Sequence, residues 1–154
     1  MPHVGERREP LPGDGEPSPD EVEAAEARAA IASVDADVER LLAGHSAEIQ
    51  AIEQALRVTI RSAFPAAVEQ VDFGNKLIAF GRSMRMRGLL FAIIAHQSWV
   101  NLQLADGAEL PDPEGLVEGT GKRIRHVKIR SVEGASSPAV VGLIEAQLAA
   151  RPGD

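Results

Sequence analysis

The residues best suited to bind a ligand lie between Gly119 and Arg130, where two glycines precede a run of basic side chains. Glycines let a bound group approach the backbone closely, and several cations together can hold a phosphate or a carboxylate. The spacing differs from that of a Walker P-loop, because one residue separates the glycines, Arg123 follows the lysine and a strand is expected next. Two interpretations remain open: an anion-binding turn, or a glycine turn followed by the solvated face of a strand. The candidate anion ligands are Gly119, Gly121, Lys122, Arg123, Arg125, His126 and Lys128.

A second basic cluster consists of three arginines interleaved with two methionines: Arg82, Met84, Arg85, Met86 and Arg87. Contact with nucleic acid would combine such cations with aromatic side chains for base stacking, but no aromatic residue is interleaved here. We therefore predict an edge hairpin that its arginines protect against sheet-to-sheet pairing, and nucleic acid is not an expected partner. The single tryptophan, Trp99, is expected to bury its ring on the sheet.

No motif for catalysis or for a preformed histidine metal site is found. The chain has no cysteine, which removes disulfides, thiolate metal sites and cysteine nucleophiles, and no Gly-x-Ser-x-Gly elbow occurs. His96 and His126 could meet across a sheet, although no pair of histidines has the close spacing of a preformed site. A non-enzymatic protein is predicted. The four histidines are His3, His45, His96 and His126.

The charge of the chain is concentrated at its start. Residues 1–45 contain eleven acids and four bases, whereas the remainder is balanced, within a net charge of −7. Residues 1–19 are rich in proline and glycine and are predicted to form a disordered acidic leader, with no apolar stretch typical of an export signal. The longest apolar run, Leu89 to Ala95, is too short to cross a membrane, so a cytoplasmic protein without a membrane partner is expected.

Apolar periodicity predicts three helices. Residues 20–45 form an amphipathic helix that Gly44 ends, and Ser46 caps a second helix that ends before Pro65. Ser137 and Pro138 begin a closing helix. Its predicted apolar face consists of Val141, Ile144 and Leu148.

Between these helices the apolar period changes to that of strands, with Leu89 to Ala95 as a central strand and Gln97-Ser98 as a hairpin turn. Asp112 and Pro113 predict a cap and one or two helical turns as far as Glu118. The predicted fold class is α+β, with an antiparallel sheet. The strands are expected around Val71 and Phe73, at Leu77 to Phe80, Leu89 to His96 and Trp99 to Leu104, and around Val127 and Ile129.

The run from Asp112 to Arg130, with its Gly-Lys turn and following strand, resembles the corresponding segment of YdhG-like proteins, a large group of bacterial domains of unknown function. The segments from Phe64-Pro65 through Gly74 and from Val100 to Leu104 also resemble that family. The resemblance covers residues 46–150, with residues 151–154 as a tail. It implies a frataxin-like fold, in which N- and C-terminal helices pack on one face of an antiparallel sheet; the helix over residues 20–45 is additional.

The resemblance also implies a function, because some members of the family are described as iron chaperones for iron–sulfur cluster or haem assembly. Iron is then the expected cofactor or cargo, and assembly proteins are the expected partners. The alternative hypothesis is a module that binds an anionic metabolite or a protein through the basic turn, and a third is pairing of two chains through the first helix, so that monomer and homodimer both stay open. The carboxylates whose location fits iron binding are Glu48, Glu53, Glu69 and Asp72.

Overall fold

The computed structural model describes residues 15–153 of the chain. The predicted leader falls mainly on residues 1–14, outside the described residues, and so does His3. The first helix, α1 (Pro19–Leu42), begins at Ser18, whose hydroxyl accepts from the backbone N–H of Glu21 at 3.2 Å. Acidic residues in its first turn complement the positive end of the helix dipole.

Only the second half of α1 packs against the rest of the chain. Val38 and Leu42 are buried, whereas residues 19–33 are exposed. The first half is rich in alanine and glutamate, so it has little apolar surface to bury.

The second helix, α2 (Ala47–Ala63), has the regular apolar stripe that the sequence predicts. Ser46 caps it by accepting from the N–H of Ile49 at 3.2 Å. Its inward side chains lie in the main hydrophobic core. They are Ile49, Ile52, Leu56 and Ile60.

The sheet has six strands in the order β1-β2-β3-β4-β6-β5, and every neighbouring pair is antiparallel. The apolar strand β3 lies in the middle of this order, as predicted, and its hairpin with β4 turns at Gln97-Ser98. The strands are β1 (Val68–Asp72), β2 (Leu77–Gly81), β3 (Leu89–Ala95), β4 (Val100–Leu104), β5 (Val117–Glu118) and β6 (Arg125–Ile129).

The predicted helix after Asp112 is replaced by a loop and the short strand β5. The carboxylate of Asp112 accepts from the N–H groups of Leu116 at 2.8 Å and Val117 at 2.9 Å, and Gly115 adopts a left-handed φ of 66°. Both features prevent a helix from continuing. The Asp112 carboxylate takes up N–H groups in place of backbone carbonyls, and the left-handed φ of Gly115 turns the chain away from the helix axis.

The C-terminal segment contains a single turn, α3 (Val132–Ala135), and the closing helix α4 (Pro138–Ala150), which Ser137 caps as predicted. The inward face of α4 differs from the prediction, since Val141 and Leu148 are only half-buried. This helix is apolar on most of its circumference, so periodicity alone could not select the face. The buried side chains of α4 are Val140, Leu143, Ile144 and Gln147.

The helices and the sheet share one hydrophobic core, which confirms the predicted α+β class with an additional N-terminal helix. Alternate residues of each strand supply the sheet's contribution, for example Ile78 and Phe80 of β2 and Leu102 and Leu104 of β4. No helix within residues 15–153 is long and apolar enough to cross a bilayer.

Candidate binding face

The face of the sheet opposite the core, called here the open face, carries the other half of each strand. The strand registers place Ala79 beside Ala92, and Gln103 beside His126, on this face. The paired alanines are short side chains between longer neighbours, which leaves room for a depression in the sheet surface.

A concavity of about 1100 Å³ lies over the β1 to β4 part of the open face. The middle of its floor is apolar, with Leu77, Ala79 and Ala92, and Gln70 and Gln103 flank it on the neighbouring strands. Met84 and Met86 of the β2–β3 connection also line the concavity. Such a volume is large enough for a small organic ligand. Its basic lining residues are Arg87, Arg123 and Arg151, which we call the arginine rim.

Two members of the arginine rim are held by one buried carboxylate, Asp106, which follows β4 and is 3% exposed. Arg123 donates to Asp106 at 3.0 Å, and Arg151 donates to it at 2.7 and 2.9 Å. Gln147 of α4 donates to the same carboxylate at 2.8 Å and accepts from the backbone N–H of Asp106 at 2.7 Å. Residues far apart in sequence therefore position the rim.

Burial of Asp106 disfavours its charged form, yet the hydrogen bonds from Gln147, Arg151 and Arg123 outweigh that effect and lower its pKa below the ordinary value. Asp106 is therefore a carboxylate at neutral pH. Sequence reasoning missed this residue. Its one signal was Gln147, a polar side chain on the buried side of an otherwise apolar helix.

Arg87 completes the rim from the 3₁₀ turn Met86–Gly88. Its backbone carbonyl accepts from Arg151 at 3.2 Å, while its side chain is exposed and has no carboxylate partner within residues 15–153. Three guanidinium groups against one carboxylate leave the rim with a net positive charge. Met86, beside Arg87, is 86% exposed at the edge of the concavity.

The role predicted for the arginines between β2 and β3 is wrong, because that connection joins two interior strands and the sheet edges are β1 and β5. Arg82 instead donates to the carbonyls of Arg151 at 3.0 Å and Leu148 at 3.4 Å. It therefore ties the end of α4 to the sheet.

At the other end of β4, the open face carries a group of side chains around Trp99. The indole ring is half-buried, which differs from the expected burial, and it stacks on His96 with ring centroids 4.9 Å apart. Lys128 Nζ lies 4.8 Å, and the Arg130 guanidinium 5.7 Å, from the indole centroid. We call this group the Trp99 cluster; its members are His96, Trp99, Asn101, Lys128 and Arg130.

The predicted anion ligands do not converge on one point. Arg123 belongs to the arginine rim and Lys128 to the Trp99 cluster, while Arg125 folds back to donate to the carbonyl of Gly121 at 2.8 Å. Lys122 is exposed on the turn. The glycine turn is thus largely structural, and its basic residues serve two separate places on the open face.

Gly119 and the two histidines complete the predicted set. Gly119 adopts a φ of 118° and lies against the ring of His126. His126 pairs with Gln103, whereas His96 contacts Trp99 and Asn101 at the start of β4. The two histidines, which the sequence left free to meet across the sheet, therefore have different neighbours.

The four carboxylates that fit iron binding are engaged separately, each in its own surroundings. Glu53 is hydrogen-bonded to His45 at 2.7 Å, and burial raises the pKa of Glu53 while His45 opposes the rise. Asp72 accepts from the side chain of Asn75 at 2.8 Å, which lowers the pKa of Asp72. Glu48 is exposed on α2.

Glu69 belongs to an ion-pair network between α1, α2 and β1. It accepts from Arg57 at 3.1 Å and from Arg61 at 2.7 Å, and Arg57 also donates to Asp35. Burial by itself lowers the pKa of Arg57, but the hydrogen bonds and charges of Glu69 and Asp35 outweigh that effect and raise it above the ordinary value, so Arg57 stays a cation. Within residues 15–153, no three His, Asp or Glu side chains come together as a metal site.

No protein-family model, curated protein or solved structure matches this chain. The geometry of the open face is therefore the basis for a functional proposal.

Proposed function

We propose that this protein is a non-enzymatic binding module whose concavity holds an organic anion with an apolar body, such as a medium-chain carboxylate. The observation that carries the proposal is the buried Asp106, which holds Arg123 and Arg151 at the edge of an apolar floor. Of the hypotheses drawn from the sequence, this is the binding of an anionic metabolite, with Arg123 as the one contributor from the glycine turn.

The arginine rim has the chemistry that a carboxylate needs. A guanidinium group presents its N–H donors in a planar fork that matches a carboxylate, and such charge-assisted hydrogen bonds are stronger than neutral ones. Arg123 and Arg151 already share Asp106, so part of the entropic cost of fixing them is met before the ligand arrives. Arg87 provides the guanidinium without a carboxylate partner within residues 15–153.

The floor of the concavity accounts for the apolar body. Each Å² of apolar surface removed from water contributes about 25 cal/mol, so a chain lying over Leu77, Ala79 and Ala92 adds affinity that a small hydrophilic anion lacks. Methionine side chains adapt to different shapes, and Met84 and Met86 add further apolar surface to the lining of the concavity.

We also propose that the chain belongs to the YdhG-like family, a proposal supported by the antiparallel sheet with α2 and α4 in one core. The iron-handling role that the resemblance implies has less support than anion binding. Glu69 is paired with two arginines and Glu53 with a histidine, so neither is available as a ligand without loss of an existing interaction.

Calorimetric titration of the full chain with decanoate, below the concentration at which decanoate forms micelles, tests the proposal. We expect saturable binding of decanoate and none of acetate, which lacks the apolar body, or of decyltrimethylammonium, which carries the opposite charge. Loss of one charged hydrogen bond in Arg87→Gln should weaken decanoate binding about tenfold. Met86→Gln should also weaken decanoate binding, because it removes an apolar contact with the alkyl chain.

The matched control is Arg85→Gln, which removes the same charge from the same connection at a residue that does not line the concavity. The affinity of this variant for decanoate should stay within about twofold of that of the unsubstituted protein. Absence of decanoate binding, or equal affinity in the Arg85 and Arg87 variants, would contradict the proposal.

A further inference from the structure

The Trp99 cluster places two cations beside each other on the open face. Strand register sets Lys128 opposite Asn101, so Arg130, two residues further on the same face of β6, lies beside Trp99. Both cations lie over the indole ring, and the one carboxylate close to either within residues 15–153 is Glu118, at 3.8 Å from Lys128. The positive charge of this pair is therefore only partly compensated.

A chain of hydrogen bonds fixes the indole ring of the cluster. The indole N–H of Trp99 donates to Asn101 Oδ1 at 2.9 Å, which sets the orientation of that amide. The amide nitrogen of Asn101 then donates to Nε2 of His96 at 3.0 Å. His96 stacks on the indole from the β3 side, and Lys128 and Arg130 contact it from the β6 side, so the ring lies between them.

We propose that Lys128 and Arg130 form a binding site for a phosphate-type oxyanion. The two cations match the charge and the acceptor oxygens of a phosphate, and a dianion relieves the repulsion between them. The indole ring holds both cations in place through cation–π contacts, so the site is organised before the ligand binds.

This site is separate from the concavity. Trp99 precedes Gln103, which lines the concavity, by four residues along β4, and four residues of strand span roughly 13 Å. Its occupancy therefore does not depend on the organic anion proposed for the concavity.

The protein contains a reporter of this site, because Trp99 is its single tryptophan and there is no tyrosine. The test titrates the full chain with inorganic phosphate at constant ionic strength, followed by the emission of Trp99 and by calorimetry. Adenosine monophosphate is titrated in a second arm, which distinguishes a free phosphate from a phosphate ester as the preferred source. We expect saturable binding in at least one arm and none with chloride.

Variants assign the binding to the proposed residues. Each of Lys128→Gln and Arg130→Gln removes one charge-assisted interaction and should weaken the binding about tenfold. Lys76→Gln, at the exposed turn between β1 and β2, and Arg87→Gln, at the arginine rim, should leave it within about twofold. No saturable signal by either readout in either arm, or unchanged affinity in both Lys128 and Arg130 variants, would overturn the proposal.

Discussion

On the helix side of the sheet, Arg57 lies between the carboxylates of Asp35 and Glu69, whereas on the open face Arg87 and Arg130 have no carboxylate partner within residues 15–153. The difference follows from burial. Arg57 is 7% exposed, and a buried charge is tolerated only when partners offset its loss of hydration. The buried charges of the helix side are therefore needed by one another, whereas the guanidinium groups of Arg87 and Arg130, unpaired within residues 15–153, are available to a ligand.

The strongest test of this comparison removes the buried cation. Arg57→Ala leaves Glu69 as a buried carboxylate with Arg61 as its remaining partner, so we expect the free energy of unfolding to fall by about 3 kcal/mol. Urea denaturation followed by circular dichroism measures it. Arg85→Ala, an exposed arginine of the β2–β3 connection, is the control and should change stability by less than about 0.5 kcal/mol. Equal losses in the two variants would remove the distinction between the faces.

Asp106 combines features of both faces. It is buried like the charges on the helix side, and it pairs with two arginines of the arginine rim on the open face. Asp106→Asn keeps the shape of the side chain but loses the charged hydrogen bonds to Arg123 and Arg151. We expect a loss of about 2 kcal/mol in unfolding free energy, together with weaker decanoate binding. Stability that falls while decanoate affinity stays the same would show that Asp106 supports the fold alone.

The effect of Asp106→Asn on the unfolding free energy should depend on pH. The pKa of Asp106 in the folded protein lies below its ordinary value of 3.8, so its ionised form stabilises the fold. That contribution is complete above pH 3.8 and is lost as the pH falls through the folded-state pKa. The stability difference between the unsubstituted protein and Asp106→Asn should therefore be constant near neutral pH and shrink below about pH 4. A difference that grows on acidification would contradict the assigned shift.

A smaller effect is expected at the glycine turn beside the open face. Gly119 has a φ of 118°, and a Cβ there would lie 3.4 Å from the Arg125 side chain. Gly119→Ala should lower the unfolding free energy by about 1 kcal/mol and leave phosphate and decanoate binding unchanged, because the turn is structural. Thermal denaturation and the same titrations check both parts. Gly142→Ala, within α4 and with open space around its Cβ, should be neutral or stabilising.

The smallest effect is expected when two of the candidate iron ligands are changed. In an anaerobic calorimetric titration of the full chain with ferrous iron, the double variant Glu69→Gln and Asp72→Asn should give the same isotherm as the unsubstituted protein, because both carboxylates are already hydrogen-bonded. A saturable site in the unsubstituted protein that weakens about tenfold in the variant would support the frataxin-like hypothesis and make Glu69 functional.

Local patterns predicted the helices and strands with a regular period. The stripe of α2 and the continuous apolar run of β3 needed no information beyond their own residues. The face of α4 was not predictable, because apolar residues surround most of that helix. The segment after Asp112 was misassigned because an aspartate followed by proline begins a helix in some contexts and, as here, closes a loop in others.

The sequence by itself determined the α+β class, the main helices and the positions of the principal strands along the chain, because each depends on periodicity within about ten residues. It also located the basic residues from Lys122 to Arg130, although not their partners. Only the tertiary structure decided which charges meet. Strand register joined Lys128 and Arg130 to Trp99, and the packing of α4 brought Gln147 and Arg151 to Asp106. Such contacts join residues tens of positions apart, and no local pattern specifies them.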